Sequence, residues 1–234
     1  RCALVTGVQT CALPISRPMI VLASKSSGRL ATLRAAGIEP QVAVSEVDER
    51  AVEQQVRSAQ PDCGPQVVVQ ALALAKAQAV AHQLGRSGQV AGWRYVVGCD
   101  SMLLIDGQLV GKPASADDAV ERWRSMRGRS ATLFTGHAVI ALSPTKGYSP
   151  DSPQAQGVSR AVINFAEVSD KEIAAYVASG EPMYCAGAFT IDGLGGAFIE
   201  SIEGDPHGVV GLSLPLLRRL LAQLGVTWTD LWQS

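Results

Sequence analysis

Residues 94–113 read RYVVGCDSMLLIDGQLVGKP, and this stretch decides the fold class. Residues 94–99 are mostly apolar, which predicts a buried strand that ends at Asp100. Further along, an Asp106-Gly107 pair separates two short apolar runs, a strong signal for a two-residue β-hairpin turn. The stretch therefore predicts a buried strand, an acidic residue at its end, and a hairpin.

The sequence before this stretch alternates between strand and helix patterns. Residues 19–23 predict a strand, followed by a serine-rich turn and a helix that ends near Gly37. A short strand at residues 41–44 and a polar helix come next. A long helix after Pro65 is predicted to face the core with an apolar stripe at helical spacing. The stripe consists of Val68, Ala71, Leu72, Ala75 and Ala79.

The sequence after this stretch continues the alternation. Ser115 and Ser169 are expected to cap two helices at their N-termini. A stretch at 143–157, rich in Pro, Ser and Gln, predicts a solvent-exposed loop. The helices are predicted at 116–126, 170–178 and 215–224, and the strands at 132–142 and 158–165. This order predicts an α/β fold with a mixed, twisted sheet and flanking helices.

The composition of the 234 residues is that of an ordinary globular protein, with 18% charged residues and a formal net charge of −1. Because there is no basic excess, binding to a nucleic-acid duplex is not expected. No apolar run approaches the ~20 residues that cross a bilayer, so no membrane partner is expected either. The five cysteines form no Cys-x-x-Cys pair, which favours a reducing compartment over a zinc site.

Residues 1–16 read RCALVTGVQTCALPIS and resemble the conceptual translation of a common sequencing-adapter oligonucleotide. A secretory signal peptide is the alternative, but Gln9 and Thr10 interrupt its apolar run. Residues 1–18 are therefore expected to be a non-native or disordered extension. Residues 19–226 are expected to form one domain, followed by a C-terminal tail at 227–234.

Three groups of residues carry the chemistry of phosphates and cations. Residues 24–29 (SKSSGR) combine hydroxyls, a helix start and a cation, as polyphosphate binding requires; a serine N-cap with a solvated arginine is the alternative. Asp100 is placed where α/β enzymes hold metal ligands or general bases, unless it only starts a turn. Lys112 could meet a phosphate, or it could be an ordinary exposed hairpin lysine.

Glu49 and Lys76 extend this set. Glu49 could share a divalent cation with Asp100, since magnesium takes only one or two protein carboxylates and completes its shell with water and phosphate. Lys76 could face anionic oxygens. The histidines His82, His137 and His207 are scattered and have no suitably spaced carboxylate, so they are expected to be structural or surface residues.

Six motifs in order resemble the Maf family over residues 19–225. They are LASKSSGRL, VDE, ALAKA, GCDSMLLIDGQLVGKP, TGHAVI and the long segment ASGEPMYCAGAFTIDGLGGAFIESIEGDPHGVVGLSLPLLRRLL. The resemblance implies a two-lobed α/β fold around a deep cleft, similar to inosine-triphosphate pyrophosphatases. It also implies a divalent metal (Mg²⁺ or Mn²⁺), a cytoplasmic setting and a homodimer. The implied activity cuts a nucleoside triphosphate to its monophosphate and pyrophosphate.

The family's functional residues match this sequence position by position. Asp100 matches the proton acceptor, and Glu49 matches the acidic residue after the second strand. Lys76 and Lys112 match the two lysines of the phosphate site. The opening loop is matched by Ser24, Ser26 and Arg29.

Departures from the family pattern concern affinity and substrate choice. Gly28 stands where most relatives have an arginine, so either Lys25 compensates or the affinity for phosphate is lower. Ser101 and Asp192 stand where the branch similar to dTTP/UTP pyrophosphatases has threonine and glutamine, and Cys185 where it has lysine. These three changes argue against pyrimidine specificity. The segment CDSMLLIDG resembles the actinobacterial branch. House-cleaning of modified nucleotides is a further alternative. The rival interpretation is a nucleotide-binding regulator of cell division with little hydrolysis.

Overall fold

A computed structural model describes residues 18–86 and 94–232 of the chain. The predicted N-terminal extension, apart from Pro18, lies outside the described residues. The strands are β1 (Met19–Leu22), β2 (Gln41–Val42), β3 (Arg94–Ile105), β4 (Gln108–Val110), β5 (Ser130–Leu142), β6 (Gln154–Phe165) and β7 (Ile199–Gly204). The helices are α1 (Ser27–Ala35), α2 (Glu49–Ala59), α3 (Pro65–Arg86), α4 (Ala116–Met126), α5 (Asp170–Ala178), α6 (Pro206–Val210) and α7 (Leu214–Gln223).

The strands form one mixed sheet in the order β2-β1-β3-β5-β6-β7, with β4 paired to β3. The β2, β1 and β3 strands are parallel, and β3, β5, β6 and β7 pair antiparallel. Helices cover both faces of this sheet. The predicted mixed α/β class is therefore confirmed. In the described parts of the chain, no helix combines the length and apolar character needed to cross a membrane.

A notch opens on one edge of β3. The parallel pairing with β1 ends where the Ala23 N–H donates to the Val97 carbonyl at 2.8 Å. On the same edge β4 begins to pair only at Leu103. Between these points no described strand covers residues 98–102 on that edge. The expectation that the strand ends at Asp100 is wrong, because β3 runs for 12 residues through it. Asp100 instead lies just beyond the end of β1.

Two glycines bring α3 close to the sheet. A Cβ atom on Gly98 would lie 2.2 Å from the Ala73 carbonyl oxygen, and one on Gly136 would lie 2.2 Å from the Val69 carbonyl oxygen. The backbone of α3 therefore rests directly on β3 and β5. This contact also corrects the predicted stripe, in which only Val68 and Leu72 are buried. The buried residues of α3 are Val68, Val69, Leu72, Ala73, Ala77, Val80 and Ala81.

The long strands pass through two hydrophobic core regions on the face opposite α3. The first lies under α1 and α7 and includes Cys99; the second surrounds Trp123, between α4 and α5, and includes Leu103. A third core lies between α3 and the sheet. Asp100 and Ser101 therefore sit in the segment of β3 between the first two regions.

Local sequence signals fixed several elements correctly. Asp106 and Gly107 both adopt positive φ (50° and 75°), as a tight hairpin turn requires. Ser115 and Ser169 cap α4 and α5, and Ser169 forms a capping box with Glu172.

The sequence did not predict the strand β7 and the helix α6, and the predicted loop at 143–157 is too long. The strand β7 and the short helix α6 escaped prediction because β7 is exposed or half-buried throughout and α6 has only five residues. The predicted loop at 143–157 is shorter than expected, because β6 already begins at Gln154. Near the C-terminus, a 3₁₀ turn at Trp228–Leu231 packs Leu231 into the first core region.

Candidate active site

Lys76 joins two of the predicted acidic residues. Its ammonium lies 2.5 Å from Asp100 Oδ1 and 2.7 Å from Glu49 Oε1. Because Gly98 brings α3 against the sheet, Lys76 on this helix can reach the carboxylate on β3. Glu49 is the first residue of α2, which Asp48 caps by accepting a hydrogen bond from the Ala51 N–H. The structure thus brings Glu49, Lys76 and Asp100 together.

The two carboxylates differ in their surroundings. The Asp100 side chain is 10% exposed, whereas that of Glu49 is 57% exposed. Burial raises the pKa of the Asp100 carboxyl above its ordinary value, and the neighbouring Lys76 ammonium opposes that rise. A carboxylate with a raised pKa is a stronger base, which suits a group that must accept a proton near neutral pH.

The donor set of Glu49 and Asp100 fits a divalent cation. One ammonium contacts an oxygen of each carboxylate, so the two groups already converge on a positive charge. Magnesium and manganese sites often use two protein carboxylates and take their remaining ligands from water and phosphate. Within residues 18–86 and 94–232, no cluster of three or more His, Cys, Asp or Glu side chains forms a fuller metal cage. Such a cation would therefore depend on substrate oxygens.

Arg29 lies on the other side of β3. Its guanidinium donates from Nε to the Gly211 carbonyl (2.8 Å) and from Nη1 to the Cys99 carbonyl (2.9 Å). Further hydrogen bonds run from Nη1 to Ser24 Oγ (3.1 Å) and from Nη2 to Ser101 Oγ (3.2 Å). The bond to Cys99 fills part of the notch that β1 leaves open. Arg29 is thus half-buried and fixed, unlike the solvated arginine of the alternative interpretation.

The partners of Arg29 are all uncharged. In the described part of the chain, no carboxylate forms an ion pair with this guanidinium. Its positive charge is therefore not neutralised locally and acts on the notch. Lys76, in contrast, is balanced by two carboxylates. The site thus presents an anion-attracting side and a cation-attracting side.

The opening loop combines capping with binding capacity. Ser26 is the N-cap of α1 and accepts a hydrogen bond from the Arg29 N–H at 3.3 Å, so the N-cap interpretation is correct for this serine. Ser24 Oγ accepts from the Ser26 N–H and from Arg29, which leaves its own proton available to a ligand. Lys25 is exposed. The loop is therefore held by its own hydrogen bonds at the start of α1.

Lys112 forms no ion pair with a carboxylate of the described residues, and its side chain is exposed. Its backbone is held by Arg122 on α4, which donates to the Gly111 carbonyl at 2.7 Å and pairs with Asp118. The Gly187 N–H donates to the same Gly111 carbonyl. The hairpin that carries Lys112 is therefore tied both to α4 and to the glycine-dense segment.

The predicted specificity residues both lie close to α1. Ser101 contacts Arg29 directly. Asp192 is exposed and accepts a hydrogen bond from Thr190 Oγ1, and its Oδ2 would lie 3.7 Å from a Cβ atom on Gly28. The Asp192 carboxylate therefore stands beside the position where the family pattern has its additional arginine.

Thr135 and His137 are buried polar residues that sequence reasoning did not place in the site. Thr135 Oγ1 lies 2.9 Å from Ser101 Oγ and donates to the Gly208 carbonyl at 2.9 Å. His137 Nε2 accepts a hydrogen bond from the Ser213 N–H at the start of α7, and burial lowers its pKa to about 4. His137 is therefore neutral and structural, as predicted. Two polar residues spaced by two in the apolar strand LFTGHAVIA were the available signal.

Comparisons with known proteins agree on one family. A family model described as Maf-like protein matches residues 19–224. A protein of Rhodococcus opacus named nucleoside triphosphate pyrophosphatase is 51% identical over 214 residues, covering 92% of this chain and 96% of its own length. A protein of Salinispora tropica with the same name is 51% identical, covering 91% of this chain and 87% of its own length. The Mycobacterium marinum protein of that name is 47% identical, with 92% and 97% covered.

Proposed function

Because the chain belongs to the Maf-like protein family, we propose that it is a nucleoside triphosphate pyrophosphatase. The reaction hydrolyses the anhydride bond between the α- and β-phosphates and releases a nucleoside monophosphate and pyrophosphate. In reaction class the protein is then a nucleotide diphosphatase. The observation that carries this proposal is the meeting of Glu49, Lys76 and Asp100 beside the uncompensated charge of Arg29.

Asp100 is proposed as the proton acceptor for the attacking water. Its raised pKa supports this role, because burial makes its carboxylate a better base than an exposed aspartate. Lys76 donates a hydrogen bond to Oδ1 and so fixes the orientation of the carboxyl group. Glu49 and Asp100 would hold Mg²⁺ or Mn²⁺, which would draw phosphate oxygens and water together and offset their charge.

Cationic groups would stabilise the pyrophosphate as it leaves. Phosphoryl transfer depends mainly on positioning and on compensation of negative charge. Arg29 offers an uncompensated positive charge at the notch, and Lys112 offers an exposed ammonium on the fixed hairpin. The Ser24 hydroxyl and the N-terminus of α1, capped by Ser26, add neutral donors for phosphate oxygens.

Selectivity for the base is proposed to involve Ser101 and Asp192. Asp192 is exposed near the start of α1, where its carboxylate can accept hydrogen bonds from N–H groups of a bound base. Ser101 is already bonded to Arg29 and Thr135, which supports an indirect influence. The homodimer and the cytoplasmic setting stay predictions from the family resemblance.

To test the proposed function, the protein is incubated with a panel of canonical and modified nucleoside triphosphates in the presence of Mg²⁺ or Mn²⁺. Pyrophosphate and orthophosphate are assayed separately, and EDTA serves as the control for the metal. Release of pyrophosphate together with the monophosphate is the expected result. Orthophosphate as the sole product would contradict the proposed bond. Tight binding of a nucleotide with no turnover would favour the regulator instead.

A further inference from the structure

Thr135 is a buried hydroxyl next to the site, with 1% of its surface exposed. It lies on β5 directly opposite Ser101 on β3. The two side chains are on the sheet face that Arg29 occupies, opposite to the face of Asp100 and Lys76. Thr135 is thus separated from the notch by Ser101, and any influence it has on a substrate must pass through other groups.

The hydrogen bonds of this region have a defined direction. The Gly208 carbonyl can only accept, so the single hydroxyl proton of Thr135 points to Gly208. Thr135 Oγ1 therefore accepts from Ser101 in their 2.9 Å contact. With its proton used in this way, Ser101 Oγ presents its lone pairs to Arg29 Nη2. The donor and acceptor of each hydrogen bond in the series Arg29, Ser101, Thr135 and Gly208 are therefore defined.

This series of hydrogen bonds fixes the orientation of the one remaining N–H donor of Arg29. A guanidinium has five N–H donors. Among the residues that the structure describes, the bonds to Gly211, Ser24, Cys99 and Ser101 use four of them, which leaves one N–H on Nη2. The bond to Ser101 holds the Nη2 group that carries this remaining donor. Without Thr135, the Ser101 hydroxyl could rotate and turn its proton towards Arg29.

We propose that Thr135 is a positioning residue that, through Ser101, orients the free Nη2 N–H of Arg29 towards a phosphate oxygen of the substrate. The inference rests on the proposed function for the nature of that anion. Such an oriented charged donor is worth most where negative charge develops during the reaction. The effect of Thr135 is therefore expected on kcat more than on KM.

The test compares Thr135→Val with Thr135→Ser. Valine has the same shape but lacks the hydroxyl, whereas serine keeps it. Pyrophosphate release from nucleoside triphosphates is measured at a temperature where circular dichroism shows both variants to be folded. We expect Thr135→Val to lose about tenfold or more in kcat, with a smaller change in KM, and Thr135→Ser to stay within about threefold of the wild type. A folded Thr135→Val variant with unchanged kcat would overturn the proposal.

A double-mutant cycle tests the route through Arg29. In an Arg29→Lys background, Thr135→Val should cause little further loss, because lysine lacks the guanidinium that Ser101 orients. The same loss in both backgrounds would show that Thr135 acts independently of Arg29, and would contradict the inference.

A binding measurement separates this inference from the proposed function. Inorganic pyrophosphate with Mg²⁺ serves as a probe in calorimetry, which needs no hydrolysis. Thr135→Val should bind it several-fold more weakly than Thr135→Ser and the wild type. If the wild type releases no pyrophosphate but this difference persists, the proposed function fails and the role of Thr135 stands. If the wild type is active but neither kcat nor binding changes, only the inference fails.

Discussion

The two faces of β3 hold their cations in opposite ways. On the α3 face, Lys76 is bonded to the carboxylates of Asp100 and Glu49. On the other face, Arg29 is bonded only to carbonyls and hydroxyls, such as those of Cys99 and Ser101. A cation between carboxylates serves to hold acidic groups in place, whereas one among neutral acceptors keeps its charge for an anion. We therefore expect Lys76 to position the acidic groups and Arg29 to attract an anion.

The alternation of side chains along a strand produces this division. Asp100 and Ser101 are consecutive, so their side chains point to opposite faces of the sheet. Among the described strands, none pairs with this segment on the edge beyond the end of β1, and we expect a ligand to approach both side chains there. A substrate bound there would meet the acidic cluster on one side and Arg29 on the other.

The largest expected effect is on the α3 face, at Asp100. Asp100→Asn keeps the shape and the acceptor for Lys76 but removes the base, so pyrophosphate release should fall about 10³-fold or more. Circular dichroism should show an unchanged fold. Asp106→Asn, in the exposed hairpin turn, is the matched control and should retain activity. Turnover like that of the wild type in Asp100→Asn would end the assignment of the base to this face.

The close contact of α3 with the sheet gives the next largest effect. Gly136 lies opposite Asp100, and a methyl group there would meet the Val69 carbonyl. Gly136→Ala should therefore lower the free energy of unfolding by about 3 kcal/mol, at the upper end for overpacking. Gly111→Ala, which has open space around its Cβ position, is the control. Equal stabilities in urea denaturation would show that α3 can move away without cost.

The opposite face should show a pH dependence through His137. Its pKa is lowered from 6.5 to about 4 in the folded protein, because burial disfavours the charged imidazolium and the nearby Arg29 charge adds to this effect. The neutral ring accepts the Ser213 N–H at Nε2. The unfolded chain binds the proton more readily than the folded protein. The contribution of the neutral His137 to the free energy of unfolding is therefore fully present above pH ~6.5 and is lost as the pH falls towards ~4. The loss amounts to at most about 3 kcal/mol.

The measurement is urea denaturation of the wild type and of His137→Gln between those pH values. Glutamine can accept the Ser213 N–H but does not titrate. The variant should therefore lack this part of the slope, even if it is less stable throughout. Carboxylates titrate in both proteins, so the difference between the two curves isolates His137. Parallel curves would mean that the imidazole is not held neutral.

Features that depend only on neighbouring residues could be predicted from the sequence. The Asp106-Gly107 turn and the caps at Ser115 and Ser169 follow from local backbone chemistry, and the structure confirms all three. The buried face of α3 differs from the predicted one, because it depends on Gly98 and Gly136, which lie on other elements. Periodicity within one helix does not contain that information.

The site was predictable only in part, for the same reason. The motif order suggested that Glu49, Lys76 and Asp100 act together, and the structure brings them into contact. The hydrogen-bond partners of Arg29 were not predicted, since one of them, Gly211, lies 182 residues further along the chain. The role proposed for Thr135 likewise depends on its pairing with Ser101 on the neighbouring strand, and that pairing is known only from the register of the sheet.

The smallest expected effect on stability concerns Glu49, the exposed partner of Lys76. An ion pair with one side chain 57% exposed contributes about 0.5 kcal/mol or less, so Glu49→Gln should unfold at nearly the wild-type temperature. Its affinity for Mg²⁺, however, should fall about tenfold, because a carboxylate ligand is replaced by an amide.

Thermal unfolding during a Mg²⁺ titration measures both quantities without any assay of activity. Glu46→Gln, which removes an exposed carboxylate three residues earlier, is the matched control and should titrate like the wild type. If Glu49→Gln also titrates like the wild type, Glu49 serves Lys76 alone and the metal is held by Asp100 and the substrate. A loss of stability of several kcal/mol would instead mean that the Lys76 cluster supports the fold rather than the chemistry.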